Sequence, residues 1–322
     1  MSKEPDFTLV QLRYFAAAAE TGSMTQAAHQ LLVSQSAVST AVSHLEQEFG
    51  VQLFIRHHAK GLSLTRQGER FLIEIKNLLN SVSELVETTH GLGQDVRGDL
   101  DVGYFTTLAP FFLPRLLTEF AVRYPDVRLS FFEGETEAVR DATLRGKVEV
   151  AILYDIDLGE EVNRTVLTRV PAHVIVAEDH RLAGNRSIHL ADIVDEPMVL
   201  LDLPHSAKYF TSIMSNAGLV PNIRYRSTNY ETVRALVAAG HGYALLNQRS
   251  TVPTEFEHRR VVALDIEDDV ADLPLVVAFP RNARLTRRAR AFIEVCREMW
   301  GTAGRGATPV DASSRVLRSR AH

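Results

Sequence analysis

Apolar positions recur at three- and four-residue spacing from the start of the chain. Leu9, Leu12, Phe15, Ala16 and Ala19 share one face and predict a helix over residues 8–21, ended by Gly22. Two shorter helical patterns follow over residues 23–49, separated only by Val33 and Ser34. Ser23 and Ser34 are placed to cap them, so the pair predicts a helix-turn-helix. In the second helix Val38, Ala41, Val42, Leu45 and Phe49 form an apolar stripe, and Gly50 stops it. Residues 51–64 carry two apolar runs around Arg56, His57, His58, Ala59, Lys60 and Gly61, predicting a hairpin wing with a basic tip. From Thr65, a predicted cap, Phe71, Ile75, Leu78, Val82, Leu85 and Leu92 repeat as a heptad on a helix of roughly 26 residues, about 39 Å long. Such a stripe either packs on the chain's own domains or, the reading preferred here, pairs with a second copy. Gly91, Gly93 and Gly98 are expected to break it.

After Gly98 the period changes. Strands are predicted around residues 100–104, 127–132 and 148–153, with helices over residues 114–124 and 135–145 between them. Alternation of this kind gives a parallel sheet with right-handed crossovers. A second series follows: strands at 172–176, 198–201, 223–225 and 243–246, and helices near Leu190 and over 206–217 and 231–239. The run at 273–279 and the amphipathic helix at 286–300 are best placed back on the first lobe, which makes two crossings and a cleft. Residues 304–322, rich in Gly, Ala, Ser and Arg, read as a disordered tail. The expected architecture is therefore α+β and multidomain: a winged helix-turn-helix over 1–65, a linker helix over 66–93 and a two-lobed α/β domain over 97–303.

Composition narrows the function classes. With 45% apolar and 23% charged residues and a net charge of -5, the chain reads as an ordinary soluble protein whose overall charge predicts no nucleic-acid partner, so the motif alone carries that expectation. Cys296 is the single cysteine, which excludes an internal disulfide or a cysteine zinc site and fits a reducing cytoplasm. The apolar run at 15–19 is too short for a signal peptide, and nothing reaches a membrane span. His57 and His58 lack a third metal ligand nearby. There is no GxSxG, HExxH or GxxxxGK[ST] motif, Cys296 lies on an apolar stripe with Phe292 and Met299, and His241 sits between glycines at a helix end; no catalytic residue, metal or cofactor is expected.

The chemistry predicted is recognition. Gln35, Ser36, Ser39, Thr40 and Ser43 form a face of short polar side chains that can approach base edges and phosphates closely, where a merely solvated face would be rich in Glu, Lys and Arg. Ser34, Arg56, Lys60 and Arg66 flank that face as further candidates for DNA contact. Open α/β sheets bind ligands beyond the carboxyl ends of their strands. The residues there are Thr106 and Thr107; Glu133, Gly134 and Glu135; Tyr154 and Asp155; Asp202, Pro204, His205 and Ser206; Thr228, Asn229 and Tyr230; and Asn247. Helix N-termini among them favour a carboxylate, whereas Asp155, Asp202 and Glu133 would repel a dianion, so a neutral or amino-bearing ligand stays open.

Ala27, Leu31, the run SQSAVS at 34–39, Leu45 with Glu46, Phe49 with Gly50, Leu53 with Phe54 and Arg56, and Leu64, Thr65 and Gly68 together resemble the N-terminal signature of LysR-type transcriptional regulators. The resemblance implies a winged helix-turn-helix, a linker helix and an effector domain resembling type 2 periplasmic binding proteins. It also implies promoter DNA, a small-molecule effector and RNA polymerase as partners, and dimers (Phe71, Ile75, Leu78, Val82 and Leu85 at the seam) that usually assemble further into tetramers. It makes Thr106 or Thr107 the residue that binds the effector after the first strand of that domain. One departure is Ala59, where many members carry a second arginine; Lys60 is expected to take over its backbone contact. A solute receptor, which the second half alone would suggest, requires export. An architectural DNA-binding protein would leave the cleft unexplained.

Overall fold

A computed structural model describes residues 6–57, 61–90, 96–249 and 259–301. Helix α1 (Leu9–Thr21) opens on a capping box in which Thr8 accepts from the Gln11 N–H and the Gln11 side chain accepts from the Thr8 N–H. α2 (Met24–Leu31) and α3 (Gln35–Phe49) start on Ser23 and Ser34, whose hydroxyls accept from the Gln26 and Ala37 amides. Leu12, Phe15, Val38, Val42, Leu45 and Leu53 are fully buried among these helices. β1 (Phe54–His57) and β2 (Gly61–Leu64) form the antiparallel wing, with Phe54 opposite Leu64. The Glu46 carboxylate on α3 accepts from the Leu53 and Phe54 amides at 2.8 and 3.2 Å, which fixes the wing to that helix.

α4 (Arg66–His90) begins on Thr65, whose hydroxyl accepts from the Gly68 amide at 3.0 Å. A Cβ on Gly68 would lie 2.1 Å from the Leu53 carbonyl oxygen, so only glycine lets this helix approach the wing. The predicted seam needs correction over its first turns. Ile75 is buried, Phe71 meets Phe15 and Phe49 edge-on at centroid distances of 5.1 and 4.8 Å, and both pack into the core of the N-terminal helical domain itself. Further along, Leu78 and Leu85 are 41% and 66% exposed and Val82 is half-buried, so among the described residues this is the part of the stripe open to a partner. Lys60, Gly91, Gly93 and residues 304–322 lie outside the described residues. Gly98 does not break a helix; it opens a strand and pairs with Val127.

The second half runs β3 (Gly98–Phe105), α5 (Ala109–Arg123), β4 (Val127–Gly134), α6 (Thr136–Leu144), β5 (Val150–Tyr154), β6 (Val162–Val170), β7 (His173–Ala177), β8 (Ser187–Ile188), a single 3-10 turn at Leu190–Asp192, β9 (Pro197–Leu201), α7 (Pro204–Asn216), β10 (Asn222–Ser227), α8 (Tyr230–Ala238), β11 (Ala244–Leu246), β12 (Val261–Ile266), β13 (Leu273–Pro280) and α9 (Arg287–Gly301). Lobe one is a five-stranded sheet in the order β4-β3-β5-β13-β6. Its first three strands are parallel, as expected, but β13 runs antiparallel to both neighbours. Lobe two holds β11-β7-β12-β8, joined to the parallel pair β10-β9 by a bridge between Met198 and Tyr243. The chain crosses between β6 and β7 and returns between β12 and β13, giving the two predicted crossings.

Strands β6, β8 and β12 and the first turn of α5 fall outside the predicted elements. β6 interleaves Asn163, Arg164, Thr165, Thr168 and Arg169 with its valines, and a register shift opposite Leu275 and Val276 interrupts its alternation. Pro114 looks like a helix start yet lies inside α5, which begins near Pro110. The helix expected near Leu190 is only the 3-10 turn. α9 packs on lobe one, with Phe292 and Cys296 fully buried; burial pushes the Cys296 thiol well up, so it stays protonated core.

Candidate DNA-binding face and effector cleft

On α3 the buried positions Val38, Ala41, Val42 and Leu45 dock on α1 and α2, which turns the opposite face outward. Gln35, Ser36 and Thr40 are exposed there and Ser39 and Ser43 half-buried. Ser34 has a local role as well: it caps the helix and lies 3.0 Å from the Ser36 hydroxyl. Arg56 on the wing and Arg66 at the start of α4 are exposed. His57 bonds to Ser63 at 2.8 Å across the wing, and no cluster of metal-ligating side chains occurs among the described residues.

The cleft is assembled from both lobes. Thr107 lies in the turn before α5, Tyr154 at the end of β5, Ser206 in the first turn of α7, Tyr230 at the start of α8 and Asn247 after β11. These five sequence candidates line one cavity of about 20 Å³, with Ile156, Leu201, Tyr209, Phe210, Leu246, Gln248 and Leu273. A space of that size admits about one water, so the cleft is closed. A polar chain shuts it: Gln248 Nε2 donates to the Tyr154 hydroxyl at 2.6 Å across the lobes, and the Tyr230 hydroxyl donates to the Gln248 carbonyl at 2.7 Å. Phe111 of lobe one meets the Tyr230 ring of lobe two at 5.5 Å. Burial raises the pKa of Tyr154, Tyr209 and Tyr230, which keeps all three phenols neutral. None of the lining side chains is charged, while the N-termini of α5, α7 and α8 converge on the cavity.

The remaining candidates lie elsewhere. Thr106 donates to Glu133 at 2.5 Å, and Tyr104 donates to the same carboxylate at 3.1 Å. Gly134 ends β4, where its carbonyl accepts from the Thr106 amide; Glu135 and Pro204 hold helix-start positions. Asp155 pairs with Arg164 and Asp202 with Arg226. Asn229 caps α8 by accepting from the Thr232 amide at 2.9 Å, and Thr228 is exposed beside it. His205 sits at the cleft mouth between Glu137, at 3.8 Å, and Asp157, at 3.9 Å, both from lobe one. Gln248, Tyr209 and Phe210 escape the sequence reasoning. Gln248 directly follows a candidate and would be reached by extending the strand-end rule one residue. Tyr209 and Phe210 lie in α7 at positions that no strand-end rule selects.

A winged helix-turn-helix followed by a long helix and a closed two-lobed cleft defines a ligand-responsive DNA-binding regulator. The family described as bacterial regulatory helix-turn-helix protein, lysR family, matches residues 9–69, and the LysR substrate binding domain matches residues 93–301. The chain belongs to the LysR family of transcriptional regulators. It is 31% identical to the HTH-type transcriptional regulator YvbU of Bacillus subtilis over 91% of this chain and 99% of that protein. Among solved structures it is similar to HinK, a LysR family transcriptional regulator from Pseudomonas aeruginosa, at 35% identity, with a TM-score of 0.62 and coverage of 91% of this chain and 98% of that one. A full-length OxyR variant from Pseudomonas aeruginosa shares the fold at 22% identity, with a TM-score of 0.74 and coverage of 90% of this chain and 98% of that one.

Proposed function

We propose that this regulator works in the cytoplasm and responds to a small polar molecule admitted between its lobes, where the ligand replaces the bond between Tyr154 and Gln248. The observation that carries this reading is an uncharged cavity, mostly apolar but set with hydroxyl and amide groups from both lobes, and closed by its own side chains. With no lysine or arginine in the lining, a negative charge would be met by helix amides, Thr107 and Ser206. That chemistry suits a monocarboxylate or a neutral hydroxylated ring better than a dianion.

Helix α6 gives the cleft a route to the DNA-binding domain. Its first turn carries Glu137, facing His205 of lobe two, and about 13 Å further along Arg145 and Gly146 follow its last turn. There Lys76 of α4 donates to the Gly146 carbonyl at 2.8 Å and pairs with Glu20 of α1 at 2.8 Å, while Arg145 lies 3.9 Å from Glu69. Opening of the lobes would therefore press on the linker and on α1 together. Pairing of two chains through Leu78, Val82 and Leu85 would present two α3 helices to successive major grooves about 34 Å apart. A dimer of such dimers, with RNA polymerase as the readout, completes the proposal. Coupling of about 1–3 kcal/mol between ligand and DNA would suffice for control.

The test is a thermal-shift screen of small carboxylates, amino acids and hydroxylated rings, repeated on Thr107→Val. A compound that raises the Tm of the native chain and loses most of that shift in the variant supports the site. Undiminished shifts in the variant would reduce Thr107 to a turn residue and reject this placement.

A further inference from the structure

The three helices of the helix-turn-helix region end in left-handed residues. Two of these are glycines, Gly22 at φ 63° and Gly50 at φ 64°, the residue type for which that conformation carries no Cβ penalty. The third is Leu32, at φ 56° and ψ 41°, in the turn that joins α2 to α3. Its amide contacts the Ala28 and His29 carbonyls, and the Val33 amide donates to the Ala28 carbonyl at 3.0 Å, so the turn geometry is fully formed and glycine or asparagine would satisfy it with less strain.

A bulky residue in such a position ordinarily gains burial in return. Leu32 gains none. Its neighbours Leu31 and Val33 pack against the core, whereas Leu32 itself is 90% exposed, the most exposed large apolar side chain among the described residues. It therefore combines a strained backbone with a side chain held in water. Both features oppose stability, and a residue of this kind marks a site of function. Its place says which: Leu32 stands two residues before Ser34, the cap of α3, and three before Gln35, the first residue of the outward polar face.

We propose that Leu32 is a DNA-contacting residue whose side chain packs on hydrocarbon at the edge of the major groove, either a thymine 5-methyl group or the adjacent deoxyribose, and so adds an apolar contact to the polar ones of α3. Apolar side chains read the thymine methyl in this way, and the contact carries no charge. It strengthens binding without releasing counterions.

The experiment uses the full chain and duplexes that it enriches from a random pool; failure to enrich any duplex would count against sequence-specific binding itself, separately from the role of Leu32. Leu32→Gly is expected to hold or raise the Tm, because the turn is relieved, and to bind the enriched duplex about tenfold more weakly. The slope of affinity against salt should not change. Leu32→Met, which keeps an apolar side chain, should retain most of the affinity. A duplex with uracil for thymine separates the two contacts. If it weakens the native chain but not Leu32→Gly, the methyl is the partner; an equal loss for Leu32→Gly on both duplexes assigns the deoxyribose. Native affinity in both Leu32→Gly and Leu32→Asn would overturn the proposal, as would a loss accompanied by a lowered Tm in both.

Discussion

The outward face of α3 and the cleft between the lobes, the two recognition surfaces proposed here, are built in opposite ways. The first comes from one stretch of nine residues, 35–43, in which Gln35, Ser36 and Thr40 are exposed, on a helix whose other side is fixed by a buried core. The second gathers side chains from positions 107 to 273, buries most of them and bonds Gln248 to Tyr154 across the lobes. In the proposed reading, the α3 face is ready before DNA arrives. The cleft would have to exchange internal bonds for a ligand, and that exchange would shift an equilibrium between lobe arrangements.

Disabling the exposed face should have the largest effect. Ser36→Glu puts a carboxylate against phosphates and should weaken operator binding a hundredfold or more, about 3 kcal/mol, with Tm and oligomeric state unchanged; unaltered binding in an electrophoretic shift would remove α3 from the groove. Leu78→Asp combined with Leu85→Asp should weaken chain pairing by about 2 kcal/mol or more, on the scale of a leucine's burial, while the DNA-binding domain stays folded on its Phe71 and Ile75 contacts. Sedimentation at several concentrations measures this, and an unshifted dimer would place the seam elsewhere.

On the cleft side, Gln248→Leu leaves the buried Tyr154 hydroxyl without its partner and should destabilise the closed lobes by about 1–3 kcal/mol. The expected readout is faster proteolysis at the lobe crossings, and native resistance would mean that the bond contributes nothing to closure. His173 gives a pH test. Burial, helped by Arg249 and Arg234, pulls its pKa from 6.5 down to about 3. Below pH 6.5 the unfolded chain therefore takes up a proton that the folded chain resists, and stability falls as pH drops toward 3. His173→Leu should flatten that acid limb of the melting curve, and an identical limb would show that His173 is not its source. Arg56→Ala is the mildest change: the log–log salt slope should fall by about 1, with sequence preference kept. A preserved slope would mean that the wing does not touch phosphate.

How much of this was legible follows from how each part is built. The caps at Ser23, Ser34 and Thr65 and the stripe of α3 are local patterns, and local hydrogen bonds realise them. Gly68 is informative only through the motif, because the Leu53 carbonyl that excludes a Cβ is 15 residues away in sequence. The heptad on α4 marks the apolar positions but implies the wrong cover over its first turns, since periodicity tells which side is buried and not against what. At the cleft, the strand-end rule reaches Thr107, Tyr154, Ser206 and Asn247, yet it also gathers Asp155, Asp202 and Glu133, which serve ion pairs and hydrogen bonds within their own lobes. β6 escapes because one of its faces is polar and its register shifts midway.

The central claim is that the cleft and the DNA-binding face share one equilibrium through α6 and Lys76. A footprint of the Gln248→Leu chain beside that of the native chain, on the same duplex at the same salt, tests it most directly. The account predicts that the protected region changes in length or in its enhanced cleavages although every residue of α3 is native. Identical footprints, from a variant whose lobes proteolysis finds open, would contradict it.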